Sequence, residues 1–152
     1  MRRLTVNKSL CTGCRFCESV CAAGHRGGGA AGPARIGVWQ DAIDELAFHV
    51  NVCRQCASCP PLAACPTGAL TRDPVTGVLH LDGGRCPAGC RRCAEACALG
   101  AFHDGRGGLV LCDLCGGEPE CVRACYTEAL FVSEYRLTGR GLGPRAAAAP
   151  AR

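Results

Sequence analysis

Sixteen cysteines in four groups of four constrain this chain more than any other feature of its sequence. The first group is Cys11, Cys14, Cys17 and Cys21. The second is Cys53, Cys56, Cys59 and Cys65. The third is Cys86, Cys90, Cys93 and Cys97, and the fourth is Cys112, Cys115, Cys121 and Cys125. Cysteine exceeds a tenth of the 152 residues, so covalent or metal chemistry must hold the fold together. Ordinary packing has little to offer. Four Phe, two Tyr and one Trp are the whole aromatic complement, and much of the nominal 48% hydrophobic content is Cys and Ala. A chain this short also buries a modest share of its surface.

No stretch approaches the roughly 20 apolar residues of a membrane-spanning helix, so membrane insertion is not expected. Met1–Leu10 carries basic residues with no apolar run after them. No secretory signal is read there, and a cytoplasmic location is expected. In a reducing cytosol thiols stay thiols, which favours metal or cluster ligation over a disulfide framework.

The spacing narrows the choice. Group one reads C-x2-C-x2-C-x3-C, a ferredoxin run whose fourth cysteine serves the second cluster of a pair. Three thiolates two residues apart wrap one face of an iron–sulfur cube, and the fourth points toward a neighbour. Zinc is the alternative, since paired C-x2-C knuckles bind it tetrahedrally. A third cysteine at the same short spacing has no use in such a site. Sixteen ligands make four [4Fe–4S] clusters with none left over. The charge then changes sign. The formal net charge is +4, but each oxidised cubane with its four thiolates carries about −2, which brings the holoprotein to about −4. Nucleic-acid binding loses its main support. The clusters also stand in for the missing core, so the apoprotein is expected to be largely unfolded.

The chain repeats itself around the cysteines. C-P-T-G-A-L from Cys65, C-A-L-G-A-F from Cys97 and C-Y-T-E-A-L from Cys125 each run into a strand-like stretch. Asp73-Pro74 with Thr76-Gly77 reads as a hairpin turn, and HDGRGGLVLCD after Phe102 as another. Leu4-Thr5-Val6, Phe48–Val52 and the FVSEYRL run after Leu130 read as strands. Short helical turns are expected between the last two cysteines of groups one, three and four, and at Pro61–Ala64 before Cys65. They are too short to be stable alone in water. Ala22–Pro33 reads as a Gly- and Ala-rich surface loop, and residues 139–152 as a low-complexity flexible tail.

CTGCRFCESVCAAGH (11–25), ARIGVW (34–39), CRQC (53–56), CPTGAL (65–70) and CDLCGGEPECVRAC (112–125) carry a family likeness. Over about residues 4–135 the chain resembles the four-cluster ferredoxin subunits of bacterial and archaeal oxidoreductase complexes. These include the electron-transfer subunits of dimethyl sulfoxide reductase-type enzymes, hydrogenases and carbon monoxide dehydrogenase. Within that class it is most similar to the iron–sulfur subunit associated with tungsten-dependent aldehyde ferredoxin oxidoreductases. The resemblance implies an α+β fold of two ferredoxin-like modules around four cubane clusters. Residues 1–50 and 104–138 would form the outer module, split by an inner module of 51–103. It further implies that groups one and four exchange their last cysteines, as do groups two and three. The sets are then Cys11, Cys14, Cys17 with Cys125; Cys112, Cys115, Cys121 with Cys21; Cys53, Cys56, Cys59 with Cys97; and Cys86, Cys90, Cys93 with Cys65.

Three departures accompany the likeness. Cys59 follows Cys56 after two residues where the family has four, and Pro61 takes the usual place of the third cysteine. Group three has an extra residue before Cys90. Among the last cysteines of the four groups only Cys65 is followed by Pro; Ala22, Ala98 and Tyr126 take the other places. Two readings stay open: loop adjustment with the same four cubanes, or a Cys59 that does not ligate and leaves a three-iron or missing cluster.

No catalytic constellation is present. His25, His49, His80 and His103 are isolated, with His25, close to group one, read as an exposed loop residue in preference to a hydrogen-bonding neighbour of a cluster. The carboxylates lack acid/base pairing, and Gly27-Gly28-Gly29 is not followed by the residues of a phosphate loop. Trp39 is expected to pack. The expected role is a non-catalytic electron relay between a large catalytic oxidoreductase subunit and a second redox partner, with room for self-association. The competing reading from another class is a structural or sensing module that binds zinc or clusters.

Overall fold

A computed structural model describes residues 2–25, 32–105, 108–138 and 141–144. Strand β1 (Arg2–Val6) pairs antiparallel with β8 (Leu130–Thr138), Leu4 opposite Val132 and Val6 opposite Leu130. Strand β9 (Gly141–Pro144) adds to the other side of β8, giving the order β1-β8-β9. The other strands form two-stranded antiparallel hairpins. These are β2 (Ile36–Gln40) with β3 (Phe48–Val52), β4 (Leu70–Arg72) with β5 (Leu79–Leu81), and β6 (Phe102–Gly105) with β7 (Gly108–Leu111).

Local chemistry explains the turns. The Asp73 carboxylate accepts the Val75 N–H at 2.9 Å, the Thr76 N–H at 2.6 Å and the Thr76 hydroxyl at 2.9 Å, closing β4 onto β5. Asp41 does the same between β2 and β3, accepting from the N–H groups of Ile43 and Asp44 at 2.8 and 3.1 Å. In β2 and β3 the alternation of the strand puts Ile36, Val38, Val50 and Val52 inward and buried.

The helices are α1 (Phe16–Gly24), α2 (Pro60–Ala64), α3 (Arg92–Glu95) and α4 (Glu120–Arg123). Helix α1 packs on α4, and α2 on α3. Three of them are about one turn long, far below the ~12–15 residues that mark the lower limit of helix stability in water. They sit where the sequence places them, beside the later cysteines of each group. The apolar core is a mixture: Leu4, Val52, Leu79 and Leu114 are fully buried among Cys21, Cys53, Cys93, Cys112 and Cys121. The result is a mixed α+β architecture of short strands, hairpins and short helices. No helix among the described residues is long and apolar enough to cross a membrane.

Two expectations change here. Ala22–Gly24 are not loop but the last turn of α1, held by the His25 N–H on the Cys21 carbonyl at 3.1 Å. The rest of that stretch through residue 31, from 26, lies outside the described residues. Within the expected tail, Gly141–Pro144 forms β9, pairing with Tyr135–Thr138 of β8 beyond the stretch that pairs with β1. Residues 139–140 and 145–152 lie outside the described residues.

Candidate metal centre

The repeated hexapeptide builds the same local shape each time. Three residues after the last cysteine the backbone turns left-handed, with φ of 62° at Gly68, 58° at Gly100 and 57° at Glu128. The next residue is buried in every case: Ala69, Ala101 and Ala129. The turn folds backbone N–H groups over the cysteine sulfur. The Leu70 N–H donates to Cys65 Sγ at 3.4 Å. These donors hold the Cys65 thiol below its ordinary pKa. At Cys125 burial works upward, but the Thr127 hydroxyl at 3.6 Å and the N–H groups of Leu130 and Ala129 outweigh it, and the thiol is again lowered. An N–H nest of this kind stabilises a sulfur that carries negative charge.

The cysteines collect into four clusters of side chains. Cys11, Cys14, Cys17 and Cys125 line one cavity beneath Val38, Val50 and Leu130. Cys53, Cys56, Cys59 and Cys97 line a second, with Pro61, Leu79 and Phe102. Cys21 and Cys115 line a third, and Cys121 and Cys112 lie within electrostatic reach of Cys21. Cys86 feels the charges of Cys90 and Cys65, and Cys93 those of Cys86 and Cys65. The first two gatherings join three cysteines of one group to the last cysteine of another. Cys59 stands at the N-cap of α2 and shares its cavity with Cys53, Cys56 and Cys97, while Pro61 is buried behind it.

These pockets suit a metal–sulfide core. Burial pushes the Cys17 and Cys53 thiols up to about 11 and Cys121 to about 12, and raises Cys112 further still. A dry pocket therefore keeps a thiol neutral unless cations compensate the thiolates. Cations that do so displace the thiol protons, which ties loading to pH and to folding. All-sulfur donor sets select soft metal centres, iron–sulfur clusters and zinc among them. Backbone donors to sulfur recur at the Arg35 N–H on Cys21 Sγ, 3.2 Å, and the Gln55 N–H on Cys53 Sγ, 3.5 Å.

Around Cys21 and Cys115 lies a polar network. The His25 Nδ1–H donates to the Cys21 carbonyl at 2.8 Å, and Nε2 is 3.4 Å from Asp113 Oδ1. The Arg35 guanidinium is bonded to Asp113 Oδ2. His25 is only 16% exposed, not the exposed loop residue expected, because Asp113 arrives from the fourth group to partner it. Trp39 does not pack inside either. It is half-exposed and stacks on His49 at 5.8 Å, whose Nε2 bonds Asp41 at 2.5 Å. Arg35, Asp113 and Gln55 carry no signal in the sequence, since each acts through a partner from a distant segment.

The 4Fe-4S dicluster domain matches residues 45–135. The polyferredoxin-like subunit of an aliphatic sulfonate oxidoreductase from Pyrococcus furiosus is 37% identical over 81% of this chain and 70% of its own length. Subunit beta of the NADH-dependent phenylglyoxylate dehydrogenase of Aromatoleum evansii is 34% identical over 84% of this chain, but only 29% of the longer relative is spanned. Electron transport protein HydN of Escherichia coli K12 is 31% identical over 86% of each. With cysteine pockets built for metal–sulfide cores and relatives named as electron carriers and oxidoreductase subunits, this chain belongs to the 4Fe-4S dicluster domain family, as a ferredoxin-type iron–sulfur electron-transfer subunit.

Proposed function

We propose that the sixteen cysteines hold four [4Fe–4S] clusters and that the chain relays electrons between a catalytic oxidoreductase subunit and a further redox partner. The ligand sets are Cys11, Cys14, Cys17, Cys125; Cys112, Cys115, Cys121, Cys21; Cys53, Cys56, Cys59, Cys97; and Cys86, Cys90, Cys93, Cys65. The observation that carries this reading is the gathering of cysteines into those four neighbourhoods, each fed by two groups. A bound cubane would supply reversible one-electron transfer. The chain's own part is to hold the sulfurs, aim N–H groups at them and keep water out, which together set each potential.

The nested modules fit the same reading: 51–103 as the inner unit, with 1–50 and 104–138 around it. Support comes from β1 pairing with β8 and α1 packing on α4, against α2 packing on α3. Neighbouring sets also interact, Cys17 with Cys121 and Cys53 with Cys112, which suits a conducting path through three of the four sets. For the partner, the reading is a tungsten- or molybdenum-dependent catalytic chain of the aldehyde oxidoreductase type. The family likeness of the cysteine stretches and the relative that serves a sulfonate oxidoreductase support an oxidoreductase of that general kind.

Anaerobic preparation of the full chain tests the cofactor count. About sixteen iron and sixteen sulfide per chain are expected, and Cys59→Ser should lower the iron toward twelve or leave a three-iron EPR signal. A wild-type chain already at about fifteen iron with that signal, or at about twelve without it, removes Cys59 from its set. Zinc without inorganic sulfide overturns the relay altogether. Co-purification with a tungsten or molybdenum chain is the expected result for the partner. Capture of a hydrogenase or carbon monoxide dehydrogenase chain instead replaces it, and a stable lone monomer makes the protein a free ferredoxin.

A further inference from the structure

Gln55 is the one glutamine of the CRQC stretch, and its side chain is 98% removed from solvent, with 2% exposed. A buried carboxamide must satisfy both its ends. The Nε2–H donates to the Cys112 carbonyl at 2.7 Å, and Oε1 accepts the Leu79 N–H at 2.8 Å. The partners fix the amide orientation, since a carbonyl only accepts and an N–H only donates. Its own N–H points at Cys53 Sγ, 3.5 Å away. The backbone adopts φ +51° to do this, a conformation an L residue resists. Gln55 thus spans two cysteine neighbourhoods. One end is tied to the sulfur of Cys53, the other to the peptide of Cys112, and the Cys53 charge is felt at Cys112.

We infer that Gln55 is a positioning residue that couples the Cys53, Cys56, Cys59, Cys97 set to the Cys112, Cys115, Cys121, Cys21 set, by clamping their loops and bridging them with one residue and two hydrogen bonds. The inference rests on the ligand sets proposed above. Only an electron crosses: the side that gives it up is oxidised by one, the side that takes it is reduced by one, and no proton or group moves. A hydrogen-bonded bridge carries electronic coupling better than an open van der Waals gap, and it holds the separation fixed. Arg72 supplies the contrast. Its guanidinium braces the same loop at the Cys56 carbonyl, 2.5 Å, and the Gly77 carbonyl, 2.6 Å, and its charge acts on Cys59, with no hydrogen bond to Cys112 among the described residues.

The test uses the full chain, reconstituted and fully reduced with dithionite, read by EPR for spin–spin broadening between clusters and by iron analysis. Gln55→Met removes both side-chain bonds at nearly constant length. Gln55→Asn keeps the amide but is one methylene too short to reach both partners. Both variants are expected to hold the wild-type iron and to lose part of the broadening. Arg72→Met is expected to lower thermal stability and keep the broadening. Unchanged broadening in either Gln55 variant at full iron content overturns the inference. So does loss of broadening in Arg72→Met, which would make loop looseness the cause, or loss of iron in both Gln55 variants, which would leave Gln55 a folding role only. Wild-type protein that shows no broadening, or falls short of four clusters, overturns the ligand sets instead, and is seen before any variant is made.

Discussion

Gly13, between Cys11 and Cys14, turns with φ +69°, and a Cβ built there would lie 2.2 Å from the Phe48 ring. Both the conformation and the space demand glycine at this place. Gly13→Ala is expected to cost at least about 1 kcal/mol from the backbone alone, with the clash in addition. Its measure is the temperature at which the brown absorbance of the holoprotein bleaches. His103 gives a pH signature. Its Nε2 is buried with no hydrogen-bond partner among the described residues. Burial lowers its pKa below 6.5, although Glu18 and Asp104 nearby pull the other way. The folded chain therefore keeps His103 neutral where the unfolded chain binds a proton. Its share of stability is full above pH 6.5 and is lost as the pH falls through the folded pKa. His103→Phe should flatten the acid dependence of bleaching in that window and leave the rate above it nearly unchanged. An equal slope in both proteins would remove His103 as the cause.

Among the elements, the hexapeptide after each last cysteine was legible as a repeat, and the structure gives the reason. The fourth place must turn left-handed so that N–H groups close over sulfur, and two of the three copies use glycine there. The third uses Glu128, at φ 57° and exposed. Glu128→Gly is expected to stabilise the holoprotein by about 0.5–1 kcal/mol, read as a higher bleaching temperature. A lower temperature would mean that the Glu128 side chain does something the backbone argument omits. The β4–β5 and β6–β7 hairpins were legible for the same reason as the repeat, since their turn residues act on their own neighbours, whereas β2 was not among the expected strands. What sequence could not yield are the long-range pairings. Asp113 meets Arg35 across 78 positions and His25 across 88, and Gln55 meets Cys112 across 57. Such pairs leave no period and no spacing. Trp39 failed for a related reason: His49 and Asp41 give it a polar, exposed seat that composition cannot foresee.

For the whole molecule, the cofactors decide charge as well as shape. The bare chain carries +4, and the four oxidised cubanes proposed above, with their thiolates, would bring it to about −4. Iron removal should reverse the direction of migration in a native gel at neutral pH and abolish most far-UV circular dichroism, because one-turn helices and two-stranded hairpins cannot stand alone. A native-like spectrum after chelation would overturn the view that ligation supplies the core. The first strand, Arg2–Val6, finds its partner only at Leu130–Thr138, and Cys17 shares its pocket with Cys125. On a ribosome the early thiols emerge long before the segment that encloses them. Under the proposed ligand sets, the iron of the first pocket can be sealed only after translation has passed residue 125, so whatever delivers it must guard half-built, oxygen-sensitive thiols in the meantime.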